Sequence, residues 1–477
     1  MLVVCLEAEY KRNIPIMKKI NNQKKIEITQ KTVIVLEIIV LAIVYLWFWR
    51  NMIFSWELFD PFLGRGKYIL LAVYGLIAAV LIGLCDGFKL GQLKLTDIMF
   101  SQWIALIITD VITYLQLCLM ANVMIDAVPV LLMMVADIVV SSVIIAIYSR
   151  IYNRIAVPSS VLMVYGNKGS VVLKTKLDDI SDRYRVQELV SIDVGLDEIC
   201  ARADKYDAVV ICDVDARQRN DLLKYLYLNE IRTFLTPKIS DVIIGGGDRI
   251  HLFDSPLVEI KSTGISVEEE LIKRFFDIVL SLIAVVILSP LLLVVSLAIK
   301  LEDHGPVFYR QRRITKDMRE FDILKFRSMI VDAEKNGAQA AVDGDSRITR
   351  VGHFIRATRI DELPQLFNII RGDMSLVGPR PERVENVQEY SAAIPEFVFR
   401  YKVKGGLTGY AQIFGKYNTT AYDKLRLDLM YIENYTLLLD IKIILMTIRI
   451  LFKKESTEGF DKVLSAEEIL GDLSDGK

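Results

Sequence analysis

Lys273-Arg-Phe-Phe-Asp-Ile-Val-Leu-Ser-Leu-Ile-Ala-Val-Val-Ile-Leu-Ser-Pro-Leu-Leu-Leu-Val-Val-Ser-Leu-Ala-Ile-Lys300 is the stretch on which the architecture turns. Its apolar run is long enough to cross a bilayer, which takes about 20 residues, yet cations stand at both ends and Ser289-Pro290 interrupts the middle. Positive flanks mark the cytoplasmic side. Proline removes a helix hydrogen bond and clashes with the preceding turn, and the Ser289 hydroxyl can bond backbone freed in this way. The pattern predicts a bent helix over 271–300 that re-enters by the face it came from. A straight span is the alternative, and it would put everything after residue 300 outside the cell, away from any cytosolic nucleotide.

Downstream, Arg-rich loops carry fixed Gly and Pro punctuation: Gly305-Pro-Val-Phe-Tyr-Arg-Gln311, Lys325-Phe-Arg-Ser-Met329, Arg359-Ile-Asp-Glu-Leu-Pro-Gln365 and Gly372-Asp-Met-Ser-Leu-Val-Gly-Pro-Arg-Pro381. Arginine presents a planar fork that matches phosphate oxygens, and Pro379 and Pro381 stiffen the backbone around Arg380. Asp361-Glu362 stands at the predicted start of a helix that Gly372 would end, with Pro364 tolerated in the first turn. A helix N-terminus favours anions. A carboxylate there can attack phosphorus to give an acyl phosphate, with Mg²⁺ on the neighbouring acid offsetting charge. Taken alone, the same pair also reads as an Asp N-cap beside a solvated Glu. Further on, Thr436–Phe452 mixes Leu and Ile with Lys and Arg, which suits either an amphipathic helix in the membrane interface or a core helix.

Upstream, the chain is poor in charge. Of 58 Lys+Arg and 59 Asp+Glu, residues 31–150 hold 7 and 8. Four apolar stretches, at about 32–49, 67–85, 98–119 and 128–148, predict four transmembrane helices after a basic N-terminal segment (1–31) that is too long to be a cleavable signal. Loop charges place the N-terminus in the cytoplasm. Asp110 and Asp137 lie inside spans, as interhelical bonding partners, as partly snorkelling groups or as part of an ion path. Residues 160–262 alternate short apolar runs with amphipathic stretches, which predicts a small parallel α/β domain. Its first turn, Gly166-Asn-Lys-Gly169, lacks the dinucleotide fingerprint spacing, so both a structural and a nucleotide-binding role stay open. A net charge of −1 argues against a nucleic-acid binder, and three separated histidines and five unpatterned cysteines against a His- or Cys-based metal site.

Taken together, Lys273-Arg-Phe-Phe-Asp277, Ser289-Pro290, Lys325-Phe-Arg-Ser-Met329, Asp361-Glu-Leu-Pro-Gln365, the run ending Pro379-Arg-Pro381, Leu407-Thr-Gly-Tyr-Ala-Gln412 and Leu427-Asp-Leu-Met-Tyr-Ile-Glu-Asn434 closely resemble the polyprenyl-phosphate sugar-1-phosphate transferases. These are the monotopic phosphoglycosyl transferases that initiate bacterial capsule, exopolysaccharide and O-antigen synthesis. Four spans and a Rossmann-like module ahead of residue 271 resemble the long form. The resemblance implies a membrane protein with a four-helix transmembrane region, a small α/β Rossmann-like domain, and a mainly helical α+β catalytic domain (301–454) with a re-entrant membrane helix, followed by a tail (455–477). It implies transfer from a UDP-sugar to undecaprenyl phosphate through a phosphosugar on Asp361, with Glu362 as its acidic partner and both near Mg²⁺. Arg380, Lys325, Arg327, Arg359 and Asp428 are then phosphate- or substrate-binding residues. A homodimer in the bacterial inner membrane, with its catalytic face to the cytoplasm, is implied too. Two departures stand out: Thr315 and Met318 replace a Gly-x-x-Gly, and Gly405-Gly406 replaces Pro-Gly. Rival readings are a non-catalytic membrane scaffold and a nucleotide-sugar-modifying enzyme that works through the α/β domain.

Overall fold

The computed structural model describes residues 2–53, 66–167, 172–260, 264–331, 333, 345–415 and 419–451, with side chains from residue 25 to 450. Gly169, Phe452 and the expected tail lie outside the described residues. The chain divides into two compact units that meet between Leu235 and Thr236.

The first unit opens with four helices, α1 (Leu2–Phe48), α2 (Gly66–Leu84), α3 (Leu95–Ala121) and α4 (Val128–Ile155). All four are long and apolar enough to cross a membrane. Their neighbours form a closed ring, with α1 against α2 and α4, and α3 against the same two. Buried positions recur every fourth residue, as in Leu70, Tyr74, Ala78 and Ile82, while Leu76 and Val80 on the opposite face stay exposed and equally apolar. Such a surface suits lipid rather than water. Asp137 and Asp110 face inward: the Tyr74 hydroxyl donates to Asp137 Oδ2 at 2.6 Å and lies 3.4 Å from Asp110 Oδ1. Both carboxylates are thus interhelical bonding partners, and neither snorkels.

The α/β domain follows. Strands β1 (Ser159–Tyr165), β2 (Tyr184–Ser191), β3 (Ala208–Cys212) and β4 (Arg232–Leu235) form a parallel sheet in the order β2-β1-β3-β4. Alternation sorts the side chains of β1. Leu162 and Val164 pack against helices α6 (Leu196–Ala203) and α7 (Ala216–Leu228), whereas Val161 and Met163 face α5 (Leu173–Asp178). Strand β2 escapes the sequence pattern because Arg185, Gln187 and Glu188 interrupt its apolar residues. Gly166 is needed at the end of β1, where an added Cβ would stand 2.4 Å from the Asp213 carbonyl oxygen. That close approach explains the glycine without a ligand.

The second unit begins earlier than expected. Helix α8 (Ile239–Gly245) buries Ile239 and Val242 among Phe397, Leu425 and Leu429, so the α/β domain ends at 235 rather than 262. The hairpin β5 (Asp248–Leu252) and β6 (Ser255–Glu259) leads to α9 (Val267–Asp303), opened by a Ser266/Glu269 capping box. Pro290 sits inside this helix. Its missing N–H would have served the Val286 carbonyl, and the Ser289 hydroxyl donates to that same oxygen at 2.8 Å. The middle of α9 is exposed and apolar, with Val286, Ile287, Leu293 and Val294 outermost.

Both ends of α9 hold the rest of the unit. Near its start, Lys273 pairs with Asp440 at 2.5 Å and Asp277 accepts from the Leu376 N–H. Near its end, Val295 and Ile299 pack with Phe326 and Ile355, and Glu302 accepts from the Arg350 N–H. Between them come the antiparallel hairpin β7 (Phe308–Ile314) and β8 (Glu320–Phe326), helices α10 (Arg350–Ala357), α11 (Gln365–Arg371) and α12 (Val384–Ala393), and the parallel pair β9 (Ser375–Val377) and β10 (Gly406–Thr408). Helices α13 (Tyr410–Phe414), α14 (Ala421–Glu433) and α15 (Leu437–Leu451) complete a mainly helical α+β unit. Helix α15 is two-faced: Ile443 and Met446 are buried, while Leu438 and Ile441 are exposed.

Candidate active site

Helix α10 ends at Ala357, and Arg359 takes a left-handed conformation (φ 57°) that few residues adopt. This reverses the chain into a 3₁₀ turn, Ile360–Glu362, ahead of α11. Asp361 and Glu362 therefore precede the helix instead of opening it. With only seven residues, α11 has a weak positive end, and the field at the acids comes from side chains. Gly372 closes α11 with φ 104°, as its position requires.

Asn368 brings the next element in. Its side chain accepts from the Leu324 N–H and donates to the Asp322 carbonyl, both at 2.9 Å, which zips α11 to β8. Lys325 of β8 thereby places Nζ 3.0 Å from Glu362 Oε1. From the other side, Arg380 forks onto Glu362, with Nη2 2.5 Å from Oε1 and Nη1 3.4 Å from Oε2. Burial alone would raise the Glu362 pKa, but Arg380 and Lys325 outweigh it and hold the carboxyl well below its usual range. Asp361 goes the other way. Burial and then the adjacent Glu362 charge raise its pKa, against Lys325, Arg356 and Arg359. Among the described residues, no side chain hydrogen-bonds the Asp361 carboxylate. Two neighbouring acids thus occupy different states, one locked by cations and one uncommitted, a pattern that assigns different tasks to the two.

Of the expected residues, the structure brings together Asp361, Glu362, Lys325 and Arg380, with Arg359 at the head of the turn. Two are placed elsewhere. Arg327 is buried with Nη2 paired to Asp303 at the end of α9, which joins that helix to the end of β8, while its Nε and Nη1 are buried with no hydrogen-bond partner among the described residues. Asp428 is 1% exposed and pairs with Arg400 at 2.7 Å; burial pushes its carboxyl up to about 6, with Arg400 opposing. It reaches the site only through Arg400. Asn368, Arg313 and Arg400 had no signal of their own in the sequence, because what they do depends on backbone groups distant along the chain.

The departures at Thr315 and Gly405 meet each other, since the Thr315 hydroxyl donates to the Asp373 carbonyl and accepts from the Gly405 N–H. Met318 keeps a left-handed φ of 60° where the resemblance expects glycine. Mg²⁺ held by both acids fits this arrangement poorly. Mg²⁺ is typically bound through one or two carboxylates plus water and substrate phosphate, and both Glu362 oxygens already face cations. Asp361 alone is open to it, and no group of three potential ligands occurs among the described residues.

Residues 268–454 match the family model described as bacterial sugar transferase. Among named relatives, a UDP-N-acetylgalactosamine-undecaprenyl-phosphate N-acetylgalactosaminephosphotransferase of Aeromonas hydrophila is 42% identical over 53% of this chain and 61% of its own length. A UDP-glucose:undecaprenyl-phosphate glucose-1-phosphate transferase of Caulobacter vibrioides is 44% identical over 38% of this chain and 69% of its own. The exopolysaccharide production protein PSS of Rhizobium leguminosarum bv. phaseoli is 39% identical over 37% of this chain and 93% of its own. The chain spans 61% of the Aeromonas relative and about half the length of several others.

Proposed function

This chain belongs to the bacterial sugar transferase family, and from that premise we propose that it moves a sugar-1-phosphate from a UDP-sugar to undecaprenyl phosphate. The observation that carries the proposal is the split pair, Asp361 uncommitted beside Glu362 gripped by Lys325 and Arg380. In the first step an Asp361 carboxylate oxygen attacks the phosphorus bonded to the sugar. The bond from that phosphorus to the bridging oxygen breaks, and UMP leaves with that oxygen. In the second, an oxygen of undecaprenyl phosphate attacks the same phosphorus and releases the carboxylate, leaving a polyprenyl-diphosphate sugar. One diphosphate linkage replaces another, so no ATP is required. Lys325 and Arg380 supply fixed positive charge where phosphate charge develops, and Glu362 holds both in place. No step passes through a resident metal; a divalent cation belongs to this scheme only as a companion of the donor diphosphate.

A covalent intermediate lets a soluble donor and a lipid acceptor use one carboxylate in turn. We read α9 as re-entrant because Lys273 and Asp277 at one end and Val295 and Ile299 at the other anchor the same unit. With α1–α4 as spans, this gives an inner-membrane protein with its catalytic unit at the cytoplasmic face, and the long-form resemblance favours a homodimer. The names of the relatives support the class of donor and acceptor and differ in the sugar. Purified protein given undecaprenyl phosphate and a panel of UDP-sugars tests the proposal: repeated turnover to UMP should occur with one or a few sugars and only with the lipid present, while without lipid no more than one UMP per enzyme is released. Multiple-turnover UMP formation without lipid would contradict it.

A further inference from the structure

Three consecutive carbonyls, those of Pro379, Arg380 and Pro381, each accept a hydrogen bond from a different part of the second unit. The Gly406 N–H donates to Pro379 O at 2.9 Å, Arg400 Nη2 to Arg380 O at 3.0 Å, and Arg313 Nη1 to Pro381 O at 3.0 Å. Proline already fixes φ on either side of Arg380. Pinning every carbonyl as well leaves the peptide planes little room to rock. The two donating guanidiniums are themselves fixed. Arg400 is 1% exposed, lies over the Phe397 ring at 4.8 Å, and pairs with Asp428 at 2.7 Å and with Glu382 at 3.6 Å. Arg313 is held by Gln311 Oε1 through both Nε and Nη2. Gly406 is irreplaceable at its place, because an added Cβ would lie 2.1 Å from the Gly378 nitrogen.

A buried ion pair is weak support for stability, since desolvation offsets most of its attraction. Arg400 and Asp428 therefore call for another reason to be there, and the Arg380 carbonyl supplies one. We propose that Arg400, oriented by Asp428, is a positioning residue for Arg380: it acts with Arg313 and the Gly406 N–H to hold the Pro379-Arg380-Pro381 backbone so that the Arg380 fork meets Glu362 and the donor phosphates. This rests on the transferase reading for its kinetic consequence, though not for its structural one. Both contacts are made by Nη2, 2.7 Å from Asp428 Oδ2 and 3.0 Å from the Arg380 carbonyl, on a planar group stacked over Phe397; lysine at 400 keeps the charge but loses the stacked plane that aims Nη2 at that carbonyl.

Two measurements on the full-length protein in lipid nanodiscs test this. In the first, hydrogen–deuterium exchange of the peptide Ser375–Arg383 is compared between wild type and Arg400→Lys. Exchange at the Gly378 amide and, in the adjoining peptide, at the Gly406 amide, which donate to the Thr408 and Pro379 carbonyls, should quicken at least tenfold while α14 and the α/β domain stay unchanged; equal protection would overturn the proposal, and it needs no substrate. In the second, initial rates of lipid product formation complete a cycle of Arg400→Lys, Arg380→Ala and the double variant. Arg400→Lys should lose at least tenfold in kcat alone and less than twofold more once Arg380 is gone. Losses that multiply would show that Arg400 does not act through Arg380. If Arg400→Lys does not fold, Asp428→Asn enters both arms with the same expectations. A wild type that makes no product with any UDP-sugar sinks the transferase reading and leaves the exchange result to decide the positioning role.

Discussion

Asp361 carries a raised pKa and so costs stability in its charged form. Because the folded state binds this proton more readily than the unfolded chain, ionised Asp361 is destabilising at neutral pH. Asp361→Asn should therefore abolish turnover while leaving the thermal midpoint equal to or above wild type, as differential scanning fluorimetry would show. The same shift sets the acid limb of catalysis. The nucleophile must be ionised, so activity should fall with a midpoint above the ordinary Asp value of 3.8. Glu362→Gln removes one of the charges that raise it and should move the limb for any residual adduct formation to lower pH. Lys325→Met leaves Glu362 to Arg380 alone and should lower kcat roughly 10²- to 10³-fold, the usual loss for one fixed electrostatic donor. At this scale the sequence disclosed the acids and the cations around them. It could not disclose that Arg327 pairs with Asp303 or Asp428 with Arg400, since both pairings join residues that folding alone brings together.

Among the elements, α9 was legible as a long apolar helix because its signals are local; it runs through Pro290 from Val267 to Asp303, and its re-entry is proposed from the anchoring of both ends. The Ser289 hydroxyl on the Val286 carbonyl repairs the one bond that Pro290 removes. Cysteines placed near Lys273 and near Lys300 should both react with an impermeant maleimide only from the cytoplasmic side; labelling of the second from outside would mean a straight span. Strand β2 was not legible, because Arg185, Gln187 and Glu188 interrupt its apolar residues. The start of the catalytic turn was misjudged for a related reason. Asp361-Glu-Leu-Pro has the composition of a helix start, but the left-handed Arg359 folds it into a 3₁₀ turn, and a positive φ at arginine has no sequence signature.

For the whole molecule, order along the chain was legible and the point of division was not. Residues 236–245 alternate like the strands and helices before them, yet Ile239 and Val242 belong to the core around Leu425 and Phe397, and Arg426 Nη1 donates to the Pro237 carbonyl at 3.1 Å. A fragment beginning at 236 should fold and retain chemistry. One beginning at 263 uncovers that core and should lose roughly 3–5 kcal/mol, about the value of two buried aliphatic side chains, measurable by urea titration against the longer fragment. The central claim, that Asp361 becomes covalently bonded to the sugar phosphate, is tested most directly by intact and peptide mass spectrometry of the full-length protein given its UDP-sugar without lipid acceptor. The account predicts one sugar-phosphate mass on the peptide containing Asp361, discharged when undecaprenyl phosphate is added. An adduct on any other residue, or lipid-linked product from Asp361→Asn at the wild-type rate, would contradict it.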